Sequence, residues 1–206
     1  MTRTKQEIEA DARRVTAHAQ VLYTLDDAGE LASYSHDLTS GDVAGPLPVA
    51  SGPDFRLAFS GGDGVIYAIK TNGDLMWFRH DARTGLVEGP NQVGRRWSFQ
   101  QVFSGGDGVI YAVKDNGELL WYRHDGRGDG TFKWQGPPKS VGVGWDFAQV
   151  FSGGDGMIYV IRADSELLWY QHDGQANGTF AWHGPTPVGD GWSFKQVFSG
   201  GTAPPN

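Results

Sequence analysis

The stretch VFSGGDGVIYAVKDNGELLWYRHDG, residues 102–126, decides the fold because the chain contains it more than once. Residues 58–82 read AFSGGDGVIYAIKTNGDLMWFRHDA, and residues 150–174 read VFSGGDGMIYVIRADSELLWYQHDG. A more divergent copy, VLYTLDDAGELASYSHD, occupies residues 21–37, and a truncated FSGG starts at Phe198. The phenylalanines that open the FSGG motifs are 44, 48 and 47 residues apart, a spacing typical of repeat proteins built from one supersecondary unit.

Each repeat has the pattern of four short antiparallel strands. In the last full copy, period-two alternation predicts a leading strand at 145–151, and an apolar run predicts a second strand, buried on both faces, at 157–162. Residues 167–172 and 179–184 are the third and fourth strands. Four such strands in about 45 residues make one blade of a β-propeller. The sequence therefore predicts an all-β fold, a propeller of four four-stranded antiparallel blades with a short N-terminal helix.

The repeats also predict the organisation of the chain. Residues 1–19 form an N-terminal helical extension, with a helix over 5–18 that starts at the capping-box pattern Thr4-x-x-Glu7. Residues 20–201 form the propeller, and residues 202–206 form a flexible tail.

Closure of the ring follows from what the two ends of the chain lack. The chain opens on a blade without a leading strand and closes on a leading strand without its blade, so these remnants are expected to complete one another in a monomer. The alternative is an open arc that pairs with a second chain through the N-terminal helix.

Composition limits the classes of partner. The chain has a formal net charge of −7 and a pI of about 5.2, without the basic stripe that a nucleic-acid partner requires. It contains no cysteine and no apolar run long enough to span a bilayer, and its start has no apolar region typical of a secretory signal. We therefore expect no nucleic acid and no membrane insertion. The compartment stays open: cytoplasmic by default, with export by another route as the alternative.

The repeat resembles that of the tachylectin-2-like β-propeller lectins. The resemblance rests on Trp134, on Val141-Gly142-Val143-Gly144-Trp145-x-Phe147 and on Ile158-Tyr159-Val160-Ile161, and it extends over residues 20–201. It implies binding of glycans with N-acetylated sugars such as N-acetylglucosamine, at sites between adjacent blades that include parts of 126–146 and 174–193. Where that family has Asn before its first Trp, this chain has Lys133 and Ala181.

The candidate ligand-binding residues are tryptophans and glycines of these loops, because an indole stacks on the apolar face of a sugar. They are Trp134, Gly144, Trp145, Trp182, Gly191, Trp192 and Trp97. We expect complete sites around Trp134/Trp145 and Trp182/Trp192. A poor site is expected near Trp97, because the loop before it, residues 82–96, is shorter than the corresponding loop of the next repeat. The first copy has Pro53 and Ser33 at tryptophan positions. The competing interpretation is that the tryptophans pack the blades together.

Other repeated polar residues indicate structure rather than catalysis. His36, His80, His124 and His172 are each followed by Asp, which suits a strand end and a turn better than a metal or acid–base site. The Asp of each GGDG motif shapes a turn. We therefore expect no catalytic residues, no metal and no cofactor. Two functions remain: a multivalent lectin, and a non-catalytic propeller scaffold for protein–protein interaction whose sugar sites have decayed.

Overall fold

The structure is a computed structural model that describes residues 19–52, 54–194 and 197. Its described residues form four antiparallel sheets, each with its strands in consecutive order or the reverse, as in propeller blades. The all-β propeller class predicted from the repeats is thereby confirmed. The chain divides into two compact units. Unit 1 consists of the chain up to Trp97 together with the later segment Gly128–Phe132, and unit 2 consists of the remaining residues.

Unit 1 contains the first two blades. Blade 1 is three-stranded within the described residues, with the order β1 (Ala19–Leu25), β2 (Glu30–Asp37) and β3 (Val43–Ser51). Blade 2 has the four strands β4 (Phe55–Gly62), β5 (Val65–Lys70), β6 (Leu75–Asp81) and β7 (Leu86–Gly94).

Unit 2 contains the other two blades, each four-stranded. Blade 3 consists of β8 (Gln101–Gly106), β9 (Val109–Val113), β10 (Leu119–Arg123) and β11 (Lys139–Gly142), with one turn of 3-10 helix at Asp125–Gly128. Blade 4 consists of β12 (Gln149–Gly154), β13 (Met157–Ile161), β14 (Leu167–His172) and β15 (Trp182–Gly189).

The GGDG motif joins the first two strands of a blade through a tight turn. In blade 4, Asp155 and Gly156 have φ angles of 49° and 78°, the pair of positive values that a two-residue hairpin of type I′ requires. Asp63 and Asp107 have φ angles of 50° and 47°. The turn-shaping role predicted for this Asp is therefore confirmed.

Each unit has an apolar core between its two blades. In unit 2 the second strands of the blades contribute Tyr111 and Val160, which are fully buried, and Trp121 and Val141 join the same cluster. In unit 1 the corresponding cluster includes Leu31, Ile66 and Phe78. The strand predicted to be apolar on both faces is thus the one that packs between layers, and Trp121 is fully buried in the same core.

Two predicted boundaries are wrong. The leading strand of blade 4 begins at Gln149 rather than at 145, because the backbone N–H of Trp145 donates to the carbonyl of Gly117 in a hairpin turn instead of joining the ladder. The fourth strand begins at Trp182 rather than at 179, since the preceding loop is held as turns by its own hydrogen bonds.

Some predictions fall on residues that the structure does not describe. The helix over 5–18 lies outside the described residues, and so do residues 195, 196 and 198 of the segment 192–198 on which closure of the ring depends. Both stay predictions. Among the described residues, no helix has the length and apolar character needed to cross a membrane.

Candidate functional site

The repeated histidine joins neighbouring blades. His172, the last residue of β14, is fully buried, and its Nδ1 lies 2.6 Å from the hydroxyl of Tyr111 on β9. Its Nε2 lies 2.9 Å from the carbonyl oxygen of Thr179. A carbonyl only accepts, so Nε2 carries the hydrogen and Nδ1 accepts from the Tyr111 hydroxyl. Burial lowers the pKa of His172 and raises that of Tyr111, so both groups are neutral near pH 7.

Unit 1 repeats this contact. The Tyr23 hydroxyl lies 3.0 Å from Nδ1 of His80, which is buried, and desolvation lowers the pKa of His80 although Asp81 opposes the shift. The Asp81 carboxylate accepts hydrogen bonds from the backbone N–H groups of Arg83 and Thr84. The His-Asp dipeptide is therefore a strand end followed by a turn, as predicted. No group of three or more potential metal ligands comes together in the part of the chain that the structure describes.

Two candidate tryptophans contact the repeated histidines: Trp182 stacks on His172, and Trp134 packs against His124, the corresponding histidine of blade 3. The Trp182 ring lies 4.2 Å from that of His172, centroid to centroid, at an interplanar angle of 18°. Its indole Nε1–H donates to the carbonyl of Val141 at 2.6 Å. Trp134 lies 4.5 Å from His124 in a tilted arrangement. Both tryptophans are half-buried, so part of each ring is committed to packing and part faces solvent.

The second set of candidate tryptophans is more deeply placed. Trp145 is 5 % exposed and Trp97 is 4 % exposed, whereas Trp192 is half-buried. The Trp145 indole lies so close to Gly142 that a Cβ there would be 2.1 Å from Nε1. Gly94 stands in the same relation to Trp97, at 2.2 Å. The Val-Gly-x-x-Trp pattern therefore has a packing cause: the glycine makes room for the indole.

The structure brings Trp145 together with Trp182 of the same repeat, whereas the sequence interpretation grouped Trp145 with Trp134. The two indole centroids are 5.2 Å apart, and Tyr170 lies 5.0 Å from Trp145. Phe147 packs edge-on against Trp145 at 5.7 Å. We call this set, Trp145, Phe147, Tyr170 and Trp182, the blade 3–4 cleft. Gly144 is exposed beside Trp145 in the chain, with a φ of 75° that favours glycine.

Tyr170 is the polar group of the blade 3–4 cleft. Its hydroxyl makes no hydrogen bond with the residues that the structure describes, and it is not sealed from water. Desolvation raises the pKa of Tyr170 despite the opposing effect of Arg162, so the hydroxyl keeps its proton near pH 7. The sequence interpretation missed Tyr170. The available signal was that blades 3 and 4 have Tyr122 and Tyr170 where blade 2 has Phe78.

The loops between third and fourth strands pack on the preceding blade. Gly178 lies against Trp121, where a Cβ would be 2.6 Å from the ring, and Trp121 Nε1 donates to the Gln175 carbonyl at 2.8 Å. In unit 1, Gly130 lies in the same way against Trp77, at 2.4 Å. Part of the sequence shared by these loops therefore serves packing.

The shared Thr-Phe step of the same loops does not pack. Phe132 is 63 % exposed and Phe180 is 68 % exposed, each two residues before a half-buried tryptophan. Near Phe180, the exposed His183 lies 2.5 Å from the Asp173 carboxylate, Nδ1 to Oδ2. Each loop thus offers an exposed aromatic face, and the loop with Phe180 also carries polar groups, which suits a ligand that has an apolar face and hydroxyl groups.

The fold and these loops define a repeat β-propeller protein with an aromatic cleft between blades 3 and 4. The model of the Tachylectin family matches residues 12–148 and 86–203, so the chain belongs to that family. The family predicted from the repeat is confirmed. No curated protein matches the chain.

Three solved structures are distantly similar to the chain. Prp20p from Saccharomyces cerevisiae is 13 % identical with a TM-score of 0.45, over 74 % of this chain and 42 % of that one. A nidogen/laminin complex is 12 % identical with a TM-score of 0.42, over 74 % and 56 %. PorZ from Porphyromonas gingivalis is 12 % identical with a TM-score of 0.35, over 73 % and 20 %. The chain spans less than two thirds of each of these chains, and similarities this distant carry no inference about function.

Proposed function

We propose that the protein is a non-catalytic, multivalent lectin that binds N-acetylated sugars such as N-acetylglucosamine through its repeated loops. Membership of the Tachylectin family supports a lectin or a propeller scaffold. The observation that carries the sugar-binding proposal is the pair of exposed phenylalanines, Phe132 and Phe180, at the same position of two loops. An exposed phenylalanine at the same position of two loops presents an aromatic face on which the apolar face of a sugar ring can stack.

In this proposal each of the two loops forms one site. Phe180 supplies the exposed aromatic face, the free edge of Trp182 extends it, and the Tyr170 hydroxyl is the available hydrogen-bonding group of the adjoining cleft. Phe132 is the corresponding exposed phenylalanine of the preceding loop. Two weak sites on one chain raise the avidity for a clustered glycan without any new contact.

The test is a titration with N-acetylglucosamine followed by tryptophan fluorescence, together with retention on a column that carries the same sugar. We expect Phe180→Ala combined with Phe132→Ala to lose about 2 kcal/mol of binding free energy per site, as expected for an aromatic anchor. The unfolding free energy should change by less than about 0.5 kcal/mol, because both side chains are exposed. Leu86→Ala removes another exposed apolar side chain, 67 % exposed, and serves as the matched control.

A second candidate function is the propeller scaffold for protein–protein interaction. The observation that favours it is the burial of Trp145 and Trp97, two of the tryptophans expected to face a ligand. If the wild-type protein gives no saturable fluorescence change with N-acetylglucosamine and is not retained on the column, the lectin proposal is wrong and the scaffold is favoured.

A further inference from the structure

An apolar pocket lies between blades 1 and 2 of unit 1. Its volume is about 170 Å³, and its principal lining residues are Val49, Phe55, Lys70, Phe78, Val87 and Pro90. We call it the blade 1–2 pocket. It is distinct from the loops invoked above for sugar binding, since neither Phe132 nor Phe180 lines it.

The equivalent place in unit 2 is filled by an indole. The segment Val49-Ala50-Ser51-Gly52-Pro53-Asp54-Phe55 corresponds to Val141-Gly142-Val143-Gly144-Trp145-Asp146-Phe147, so the chain has Pro53 in place of Trp145. Phe78 corresponds to Tyr170. In unit 2, the Trp145 ring lies 5.0 Å from Tyr170 and 5.7 Å from Phe147, centroid to centroid.

A second indole is also missing from unit 1. Trp182 pairs with His172 across β14 and β15, and Val87 pairs with His80 across β6 and β7. Val87 therefore takes the position of Trp182, whose ring lies 5.2 Å from Trp145 in unit 2. The blade 1–2 pocket is the space that these two aromatic side chains would otherwise occupy.

Ala50 prevents the blade 1–2 pocket from being filled in the way that Trp145 fills the blade 3–4 cleft. Its counterpart Gly142 has no side chain, and a Cβ at Gly142 would lie 2.1 Å from the Trp145 ring nitrogen. The methyl group of Ala50 therefore excludes an indole placed as that of Trp145 is placed. The single substitution Pro53→Trp would therefore not fill the pocket in the way that Trp145 fills the cleft of unit 2.

The charge at the pocket is already compensated. Lys70 Nζ lies 3.2 Å from the Asp54 carboxylate and 5.7 Å from the centroid of the Phe55 ring. Of the other lining residues, Ser51 is polar and uncharged, and the rest are apolar residues or glycine. A charged ligand would gain no unpaired partner here, whereas a neutral apolar ring would keep its surroundings intact.

We propose that the blade 1–2 pocket binds a small neutral aromatic compound of the size of indole. The ligand would lie in the part of this space that the Ala50 methyl group leaves open, beside Phe55, Phe78 and Val87. The volume is adequate, since an apolar cavity of about 150 Å³ takes up benzene.

The test is a titration of the full-length protein with 5-fluoroindole followed by fluorine NMR, which avoids the signals of the protein's tryptophans. We expect saturable binding. Val87→Trp should weaken it at least tenfold by filling the pocket, while Leu86→Trp should leave it unchanged because Leu86 is 67 % exposed and does not line the pocket. The double change Ala50→Gly with Pro53→Trp restores the pattern of unit 2 and should also weaken binding, which covers the case in which Val87→Trp does not fold.

Trp145→Ala is a control for entry of the probe, because it opens the equivalent cleft in unit 2. If 5-fluoroindole raises the melting temperature of Trp145→Ala but shows no saturable binding to the wild-type protein, the proposal is wrong. It is also wrong if Val87→Trp and Leu86→Trp bind the probe equally well. Binding of 5-fluoroindole should be unaffected by N-acetylglucosamine, so failure of this proposal and failure of the lectin proposal are separate results.

Discussion

Substitution of Tyr111 by Phe removes one hydroxyl group and tests the bond that joins blade 3 to blade 4. The hydroxyl donates to Nδ1 of His172 over 2.6 Å, and both side chains are fully buried. The ring of Tyr111 keeps its stacking on Phe103, 5.2 Å away, because Phe has the same ring. The substitution therefore changes the hydrogen bond and almost nothing else.

The magnitude follows from the burial of His172. Its other ring nitrogen is committed to the Thr179 carbonyl, and no water replaces the lost donor at a site with no exposed surface. Leaving a buried acceptor unsatisfied costs about 1–3 kcal/mol. We expect a loss of about 2 kcal/mol of unfolding free energy, which shifts the midpoint of urea unfolding by about 1 M if the slope is about 2 kcal/mol/M.

Two matched tyrosines provide the comparison. Tyr23→Phe removes the longer bond of 3.0 Å to His80, and because Tyr23 is half-exposed, water replaces part of it; we expect a loss of about 1 kcal/mol. Tyr159→Phe should cost close to nothing, since the Tyr159 hydroxyl makes no hydrogen bond with the residues that the structure describes. Urea unfolding followed by tryptophan fluorescence gives all three values.

The order of these three losses is the result that matters. If Tyr159→Phe is as destabilising as Tyr111→Phe, the loss reflects the ring environment and the hydrogen bond to His172 is not its cause. If Tyr111→Phe leaves the midpoint of urea unfolding unchanged, the hydrogen bond between Tyr111 and His172 does not stabilise the contact between blades 3 and 4.

Two further predictions concern pH and packing. The pKa values of His80 and His172 are lowered in the folded state, so the unfolded chain binds more protons than the folded chain below pH 6.5. The stability that these histidines contribute is complete above pH 6.5 and should be lost as the pH falls. The loss should be at most about 1.4 kcal/mol per pH unit for each histidine. A urea midpoint that stays constant from pH 7.5 to pH 5 would contradict this. Gly142→Ala should lower the unfolding free energy by about 2 kcal/mol, because its Cβ would overlap the Trp145 ring. Gly128→Ala is the control: a Cβ there has nothing within 4 Å, so the same unfolding assay should give a change within about 0.5 kcal/mol. Equal losses at the two positions would show that the overlap is relieved at little cost.

The regular part of a blade was predictable because its signals are local. The alternation and the apolar run place the strands around Tyr159 and Trp169, and the Asp-Gly turn at Asp155 needs only two residues to specify its positive φ angles. The segment from 145 to 148 misled the prediction because it also alternates. Its conformation is fixed by a contact with Gly117, which lies in the preceding blade and leaves no trace in local periodicity.

The candidate site was less predictable, because packing and sugar binding require the same residue types. A tryptophan beside glycines is equally expected in a core and at a ligand, and only three-dimensional contacts place Trp145 in the core and leave Phe180 in water. The role of His172 was hidden for a similar reason. Its partner Tyr111 is 61 positions away in the chain, and each residue alone has an ordinary explanation as part of a strand.

The two clefts show how one repeated sequence yields different surfaces. The contact between tyrosine and histidine is present in both units, so it holds adjacent blades together whatever fills the cleft. Within the cleft, Gly142 and Trp145 form a coupled pair, and Ala50 with Pro53 is the other compatible combination. A methyl group at position 50 is incompatible with an indole at position 53 placed as Trp145 is placed in unit 2. The open pocket of unit 1 is therefore a second way to pack the same interface between blades. It leaves unchanged the hydrogen bond between tyrosine and histidine that joins the blades in both units.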